Sequence, residues 1–269
     1  IANITAIGTD GFSLDGTSDL KANFNGNGNT YVVWAWRANG GTTATNASGS
    51  LSVTQQVDPS GSFSISNYSG DGGTDTIGHG LSRAPTMVII KQINGANNFA
   101  VYAKGAGATK YAYLDTDAAF GTAAMWQNTT PSSSLVYLGD NNEVNHSGRT
   151  YVAYCFADTE GFFKSGSYVG NGNVDGPFVY TGFRPSMIWV KLVASAGDWW
   201  VEDTARDLYN PATKYLAVNR HDAEASGLNV DFLSNGFKIR TSSGDFNSNG
   251  ATIVYGAWAK NPFKYATAR

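Results

Sequence analysis

The sequence predicts an all-β fold: tandem β-sandwich repeats of about 100 residues, preceded by a partial N-terminal copy. Three observations lead there. The chain resembles itself at a fixed spacing, which marks repeat architectures. Its apolar runs have strand length and are bounded by Gly- and Asn-rich turns. Its composition disfavours helices: among 269 residues, 32 are Gly and Asn, Ser and Thr are abundant. Gly spends backbone entropy in a helix, and the short polar side chains compete for the backbone. Charged residues make up 14%, well below the roughly 25% of an average domain.

The repeat is read position by position. Tyr68, Gly70, Gly72, Pro85, Met87, Lys91 and Val101 recur as Tyr168, Gly170, Gly172, Pro185, Met187, Lys191 and Val201, each 100 residues on. Thr109-Lys110-Tyr111 recurs as Thr213-Lys214-Tyr215, 104 residues on, which places an insertion near Arg206–Pro211. The back half of the unit occurs three times: Thr30–Trp36, Thr150–Phe156 and Thr252–Trp258.

Residues 1–45 form the partial copy. There Asp10-Gly11-Phe12 parallels Asn235-Gly236-Phe237, and Asn23-Phe24-Asn25 parallels Asp245-Phe246-Asn247. Tyr31–Trp36 is the strand of this copy, with large apolar residues on both faces. The front half of the copy is missing, which reads as a piece of a longer chain. Asn39–Ser52, poor in large apolar residues, reads as a linker. Residues 62–158 form the first full repeat domain and residues 161–269 the second, with a C-terminal tail. Val152–Phe156, Met87–Ile90 and Met187–Val190 are apolar on both alternating faces, as strands buried on both sides are. Pro85 and Pro185 precede their strands, where a missing N–H does little harm. The best helix candidate is Thr204–Asn210, before Pro211.

Function classes narrow on charge and on isolated reactive groups. The net charge is −3 and no Lys/Arg run exists, which argues against a nucleic-acid partner. No apolar run is long enough for membrane insertion. The single cysteine, Cys155, excludes an internal disulfide framework and aligns with Ala35 and Ala257, as a tight core position does. His79, His146 and His221 lie far apart and outside the matched positions, and read as turn or surface residues. Asp245–Gly250 and Asn171–Gly176 open like calcium loops, but Gly256 and Gly182 stand where the bidentate Glu belongs. No metal, cofactor or catalytic residue is assigned. Glu202, Asp203 and Asp207 cluster beside Trp199 and Trp200 and could serve a glycosidase. The second copy carries Tyr102 and Ala103 at the first two places, so a solvated or ion-paired surface is the preferred reading. Trp200 and Tyr209 are the ligand-binding candidates. Neighbours on a strand face opposite ways, and Trp200 aligns with the small Ala100, so Trp199 is assigned to the core.

Gly176–Pro185, Asp231–Lys238, Tyr151–Ala157 and Ala259–Tyr265 carry a resemblance to repeat proteins of marine bacteriophages, cyanophages included. That family comprises tail, tail-fibre and virion-associated proteins. The resemblance spans residues 62–269, and the first 45 as a half-unit. It implies a virion structural protein, in a tail fibre or tail tip, displaying loops to a host-surface glycan or outer-membrane protein. It also implies a homo-oligomer, with a trimer favoured, contacts with other virion proteins, and a natural C-terminus near Arg269. The family offers no catalytic residues to transfer. A bacterial secreted or surface adhesin is the alternative, and a polysaccharide-degrading enzyme ranks below both.

Overall fold

The structure, a computed structural model, describes residues 4–8, 11–14 and 26–260. Among them the chain is nearly all β, in antiparallel sheets. The strands are β1 Ile4–Ile7, β2 Phe12–Leu14, β3 Ala44–Asn46, β4 Val53–Val57, β5 Phe63–Ser69, β6 Asp75–Gly78 and β7 Met87–Gln92. Then come β8 Ala100–Ala103, β9 Lys110–Tyr113, β10 Gly121–Thr122, β11 Leu135–Leu138, β12 Thr150–Phe156, β13 Phe163–Val169 and β14 Phe178–Tyr180. The chain continues with β15 Pro185–Leu192, β16 Trp200–Asp203, β17 Ala212–Ala217, β18 Ala225–Leu233, β19 Gly236–Ile239, the single helical turn α1 Gly244–Asn247, and β20 Thr252–Ala259.

Two eight-stranded sheets dominate, ordered β10-β9-β8-β7-β12-β5-β4-β3 and β13-β20-β15-β16-β17-β18-β19-β14. The run β5-β12-β7-β8-β9 of the first has the same order as β13-β20-β15-β16-β17 of the second. Registers agree as well: Met87 lies opposite Phe156 and Ala103, and Met187 lies opposite Trp258 and Asp203.

Both faces of both sheets are covered, as the doubly apolar strands require. Side chains alternate, so Met87, Ile89, Val101 and Phe156 of the first sheet meet Met187, Trp189, Val201 and Trp258 of the second in one inner core. On the outer face of the first sheet, Val88, Ile90, Tyr102 and Cys155 are covered by the β6–β11 pair and by Met125 and Trp126. On the outer face of the second, Ile188, Val190 and Tyr255 pack under Val179, Phe232, Phe237 and Phe246, because that sheet curls over itself. The two eight-stranded sheets are therefore not separately cored. They share a layer, and Gly105 lies so close to β13 that a Cβ there would meet Gly166 O at 2.6 Å.

Three local expectations are corrected. Thr30–Trp36 is extended but joins no ladder among the described residues. Asn39–Ser52 is more than a linker, since β3 lies inside it and extends the first sheet. Thr204–Asn210 holds a turn rather than a helix. There Asp203 accepts the Ala205 and Arg206 N–H groups in a local turn, and Asp207 accepts the N–H of Thr213 at the start of β17, the local side-chain bonding typical of Asp. The helical turn instead falls at Gly244–Asn247. The parallels drawn at Asp10 and Asn23–Asn25, and the tail beyond Lys260, lie outside the described residues.

Candidate functional site

Much of the buried polar chemistry holds loops, and it does so twice. Tyr68 donates its hydroxyl to Val144 O at 2.6 Å, and Tyr168 donates to Phe246 O at 2.8 Å. Lys91 Nζ donates to Asn97 O and Lys191 Nζ to Gly197 O. Asn145 Oδ1 accepts the Asp71 N–H at 3.1 Å, and Asn247 Oδ1 accepts the Asn171 N–H at 2.7 Å. Each amide also donates back across its turn, to Gly73 O and to Asn173 O respectively. The turns themselves need Gly72 and Gly172, at φ of +89° and +69°, a region that L side chains enter at a cost. Sequence reading passed over Asn145 and Asn247. The available signal was their common place five residues before the matched Thr150 and Thr252.

Lys191 and Trp199 also join the two sheets. Lys191 Nζ donates to Asp117 O at 2.9 Å, and Trp199 Nε1 donates to Tyr113 O at 2.8 Å. Burial pulls the Lys191 ammonium down to about 8, against the pull of the Asp117, Asp198 and Asp245 carboxylates.

A groove of about 1100 Å³ opens beside the inner core. One wall is the extended segment from Asn29 to Trp36, anchored at its start where Tyr31 Oη accepts the Gly26 N–H at 2.7 Å. Val32, Trp34 and Trp36 turn inward, and Trp36 meets Phe156, Trp189 and Trp258 at ring separations of 6.0, 6.0 and 5.6 Å. The other wall is β17 with the 218–224 loop. Charges there are internally paired: Arg206 with Asp203 and Glu224, Lys214 with Glu224, and Arg220 with Asp198 and Asp222. The Arg206 guanidinium also lies over the Trp34 ring, 5.9 Å from its centroid.

The structure separates the site residues picked from sequence. Trp199 is core, as expected, at 1% exposure. Trp200 is half-buried on the opposite face of β16, edge-on to Tyr215 at 5.0 Å, so it offers little free ring surface. Tyr209 is 81% exposed on the loop between β16 and β17. No contact brings the two together.

The surface reading of the acidic cluster is corrected. Asp203 is buried and clamped by the Arg206 side chain at 2.7 Å. Glu202 is fully buried, and neither carboxyl oxygen has a hydrogen-bond partner among the described residues. Burial pushes its carboxyl far above the ordinary range; Arg206 opposes this, while Asp207 and Asp203 add to it. Asp207 goes the other way, held low by the N–H and hydroxyl of Thr213 and the N–H of Lys214. His79 is also corrected, from surface to core: its Nδ1 accepts the Leu81 N–H, its other nitrogen faces Ser132 O, and burial lowers its pKa. His146 and His221 are exposed. Cys155 is buried on the outer core, facing the same way as Ala257, and burial pushes its thiol up to about 12.

With two sheets of matching strand order and a shared core in place, comparison with known families becomes informative. A family model described as a domain of unknown function, DUF7483, matches residues 1–262. The chain belongs to the DUF7483 family. Neither a curated protein nor a solved structure matches it. The DUF7483 match runs through both sheets and their common core without a break. Among the described residues of this DUF7483 chain, no three His, Cys, Asp or Glu side chains are placed to share a metal ion. No helix among them is long and apolar enough to cross a membrane.

Proposed function

We propose that this chain is a non-catalytic structural component of a virion tail appendage, built from tandem copies of one unit and working as a homo-oligomer that presents loops to a host-surface glycan or protein. The observation that carries this reading is the doubled loop scaffold. At matched positions in both sheets, Tyr, Lys and Asn side chains fix the same kinds of turn by bonding to backbone. Polar groups used this way stiffen a display surface. Tandem copying is supported by the shared strand order and register. It is supported too by the meeting of Trp36, Phe156 and Trp258, which are one matched position in three copies. The exposed Tyr209 loop and the aromatic groove are the surfaces a glycan would meet. A secreted or surface adhesin would use the same geometry. Labelling particles from the phage source with an antibody to the chain, viewed by electron microscopy, separates the two. Signal on a tail appendage is expected; signal confined to host cells or culture medium would contradict a virion role.

A further inference from the structure

We infer that the β6–β11 pair is an acid-operated lid over the outer core of the first sheet, with His79 as its catch. The device is independent of the display role proposed above. The pair is a separate two-stranded sheet, with Leu135 opposite Gly78 and Leu138 opposite Asp75. Its Ile77, Val136 and Leu138 side chains are fully buried in one cluster with Val88, Ile90 and Tyr102 beneath. Side chains hold the pair at both ends. At one end Gln127 Nε2 donates to Asp75 O and to Leu138 O, each at 2.8 Å. At the other, His79 directly follows β6 and is fully buried. Its backbone N–H donates to Ser134 O at 3.3 Å, its Nε2 faces Ser132 O at 3.2 Å, and its Nδ1 accepts the Leu81 N–H at 3.1 Å. A ring that accepts at Nδ1 and donates at Nε2 is the neutral form.

A further proton must enter at Nδ1. It turns that acceptor into a donor and sets it against the Leu81 N–H. The new charge is also buried without a counter-charge, which is costly. β4, which packs beside Gly80, and the 129–134 loop carry no charged residue. The charged groups nearest in sequence are engaged elsewhere: Asp58 accepts the Ser60 N–H, Asp75 accepts from Ser50 and Asn145, and Arg83 donates to Asp158 O. Tyr137 lies on the opposite face of β11 from Val136 and Leu138. Tyr102 and Cys155 in the core beneath are held neutral by burial. Burial likewise lowers the His79 pKa, with Ser132 O opposing. Once the lid opens, the ring titrates at the ordinary value of about 6.5. Above that value the closed lid keeps its full stability. Below it, opening takes up a proton that the closed lid refuses. The open fraction then rises by up to about tenfold per pH unit, until the lowered closed-state value is reached.

The test is deuterium exchange of backbone amides at pH 7 and pH 5, read by peptide mass spectrometry, with exposure times scaled for the slower chemical exchange in acid. The full chain is compared with its His79→Gln variant, whose amide offers an acceptor to Leu81 and a donor to Ser132 but does not titrate. In the natural chain, protection of β6 and β11 is expected to fall by about tenfold or more at pH 5, while β7 and β12 hold. The variant is expected to keep its protection. Equal protection at both pH values, an equal loss in the variant, or a loss shared by β7 and β12 would overturn the lid. Where circular dichroism shows the variant unfolded, carbon-13 histidine spectra of the natural chain decide, with the exposed His146 and His221 as references. Protonation of His79 at the same midpoint as the loss of β6 and β11 protection is then expected. Loss of that protection while His79 stays neutral would overturn its role as the catch.

Discussion

Trp258→Ala is expected to lower the stability of the whole molecule by about 3–5 kcal/mol, the usual cost of removing a large aromatic from a packed core. Trp258 is 5% exposed and lies in the layer between the two sheets. Its ring stands 5.0 Å from Phe163, 5.1 Å from Trp189, 5.6 Å from Trp36 and 5.7 Å from Phe156. Those partners come from both sheets and from the N-terminal segment, so the cavity weakens all three at once. Denaturant unfolding gives the measurement, with Tyr209→Ala as the control. Tyr209 is exposed, and surface changes of that kind stay within about ±0.5 kcal/mol. Equal effects of the two substitutions would mean that the inner layer is not a packed core.

Glu202→Gln is expected to raise stability near neutral pH and to remove a pH dependence. The folded state holds the Glu202 proton far more tightly than the unfolded chain does. Unfolding above the ordinary Glu pKa of about 4.3 therefore releases that proton. The stability this group contributes is present below that value and is lost as pH rises toward the raised folded value. The slope reaches at most about 1.4 kcal/mol per pH unit. The groups facing it do not rescue the charged form. Arg206 is already bonded to Asp203, Glu224 and Val201 O, Asp203 and Asp207 repel a carboxylate, and the Tyr168 hydroxyl is donated to Phe246 O. Unfolding curves from pH 4 to 8 should fall more steeply for the natural chain than for the Gln variant. Parallel curves would show that Glu202 finds a partner or water in solution.

The strands were legible in the sequence because their causes are local. Val152–Phe156 is apolar at every step, and its place between β5 and β7 with both faces covered follows from that. Cys155 was legible for the same reason: positions that take Ala elsewhere in the chain are tight. The shared core was not legible. A strand apolar on both faces needs two covers, and nothing in its own residues says whether the second cover is its own loop or another copy. Glu202 was misread because acidic residues are rarely buried without a partner, and the matched Tyr102 signalled a core position that the charge concealed. His79 was misread in the same way, since its partners, Leu81 N and Ser132 O, are backbone groups that a sequence does not display. Trp200 was placed correctly relative to Trp199. Its half-buried state depends on how far the second sheet curls, a property of β17 to β19 rather than of β16.

That both sheets belong to one body with a common core can be tested through the single cysteine. Cys155 lies on the outer face of the first sheet, whereas Trp189, Trp199 and Trp258 report mainly on the second sheet and the inner layer. Labelling of Cys155 by a thiol reagent should be followed across a denaturant series alongside tryptophan fluorescence. In native buffer the thiol should be inert. The two signals should then change together, at one midpoint, as one cooperative unit requires. Release of Cys155 at a denaturant concentration where the tryptophan signal is still native would contradict the shared core and make the two sheets independent domains.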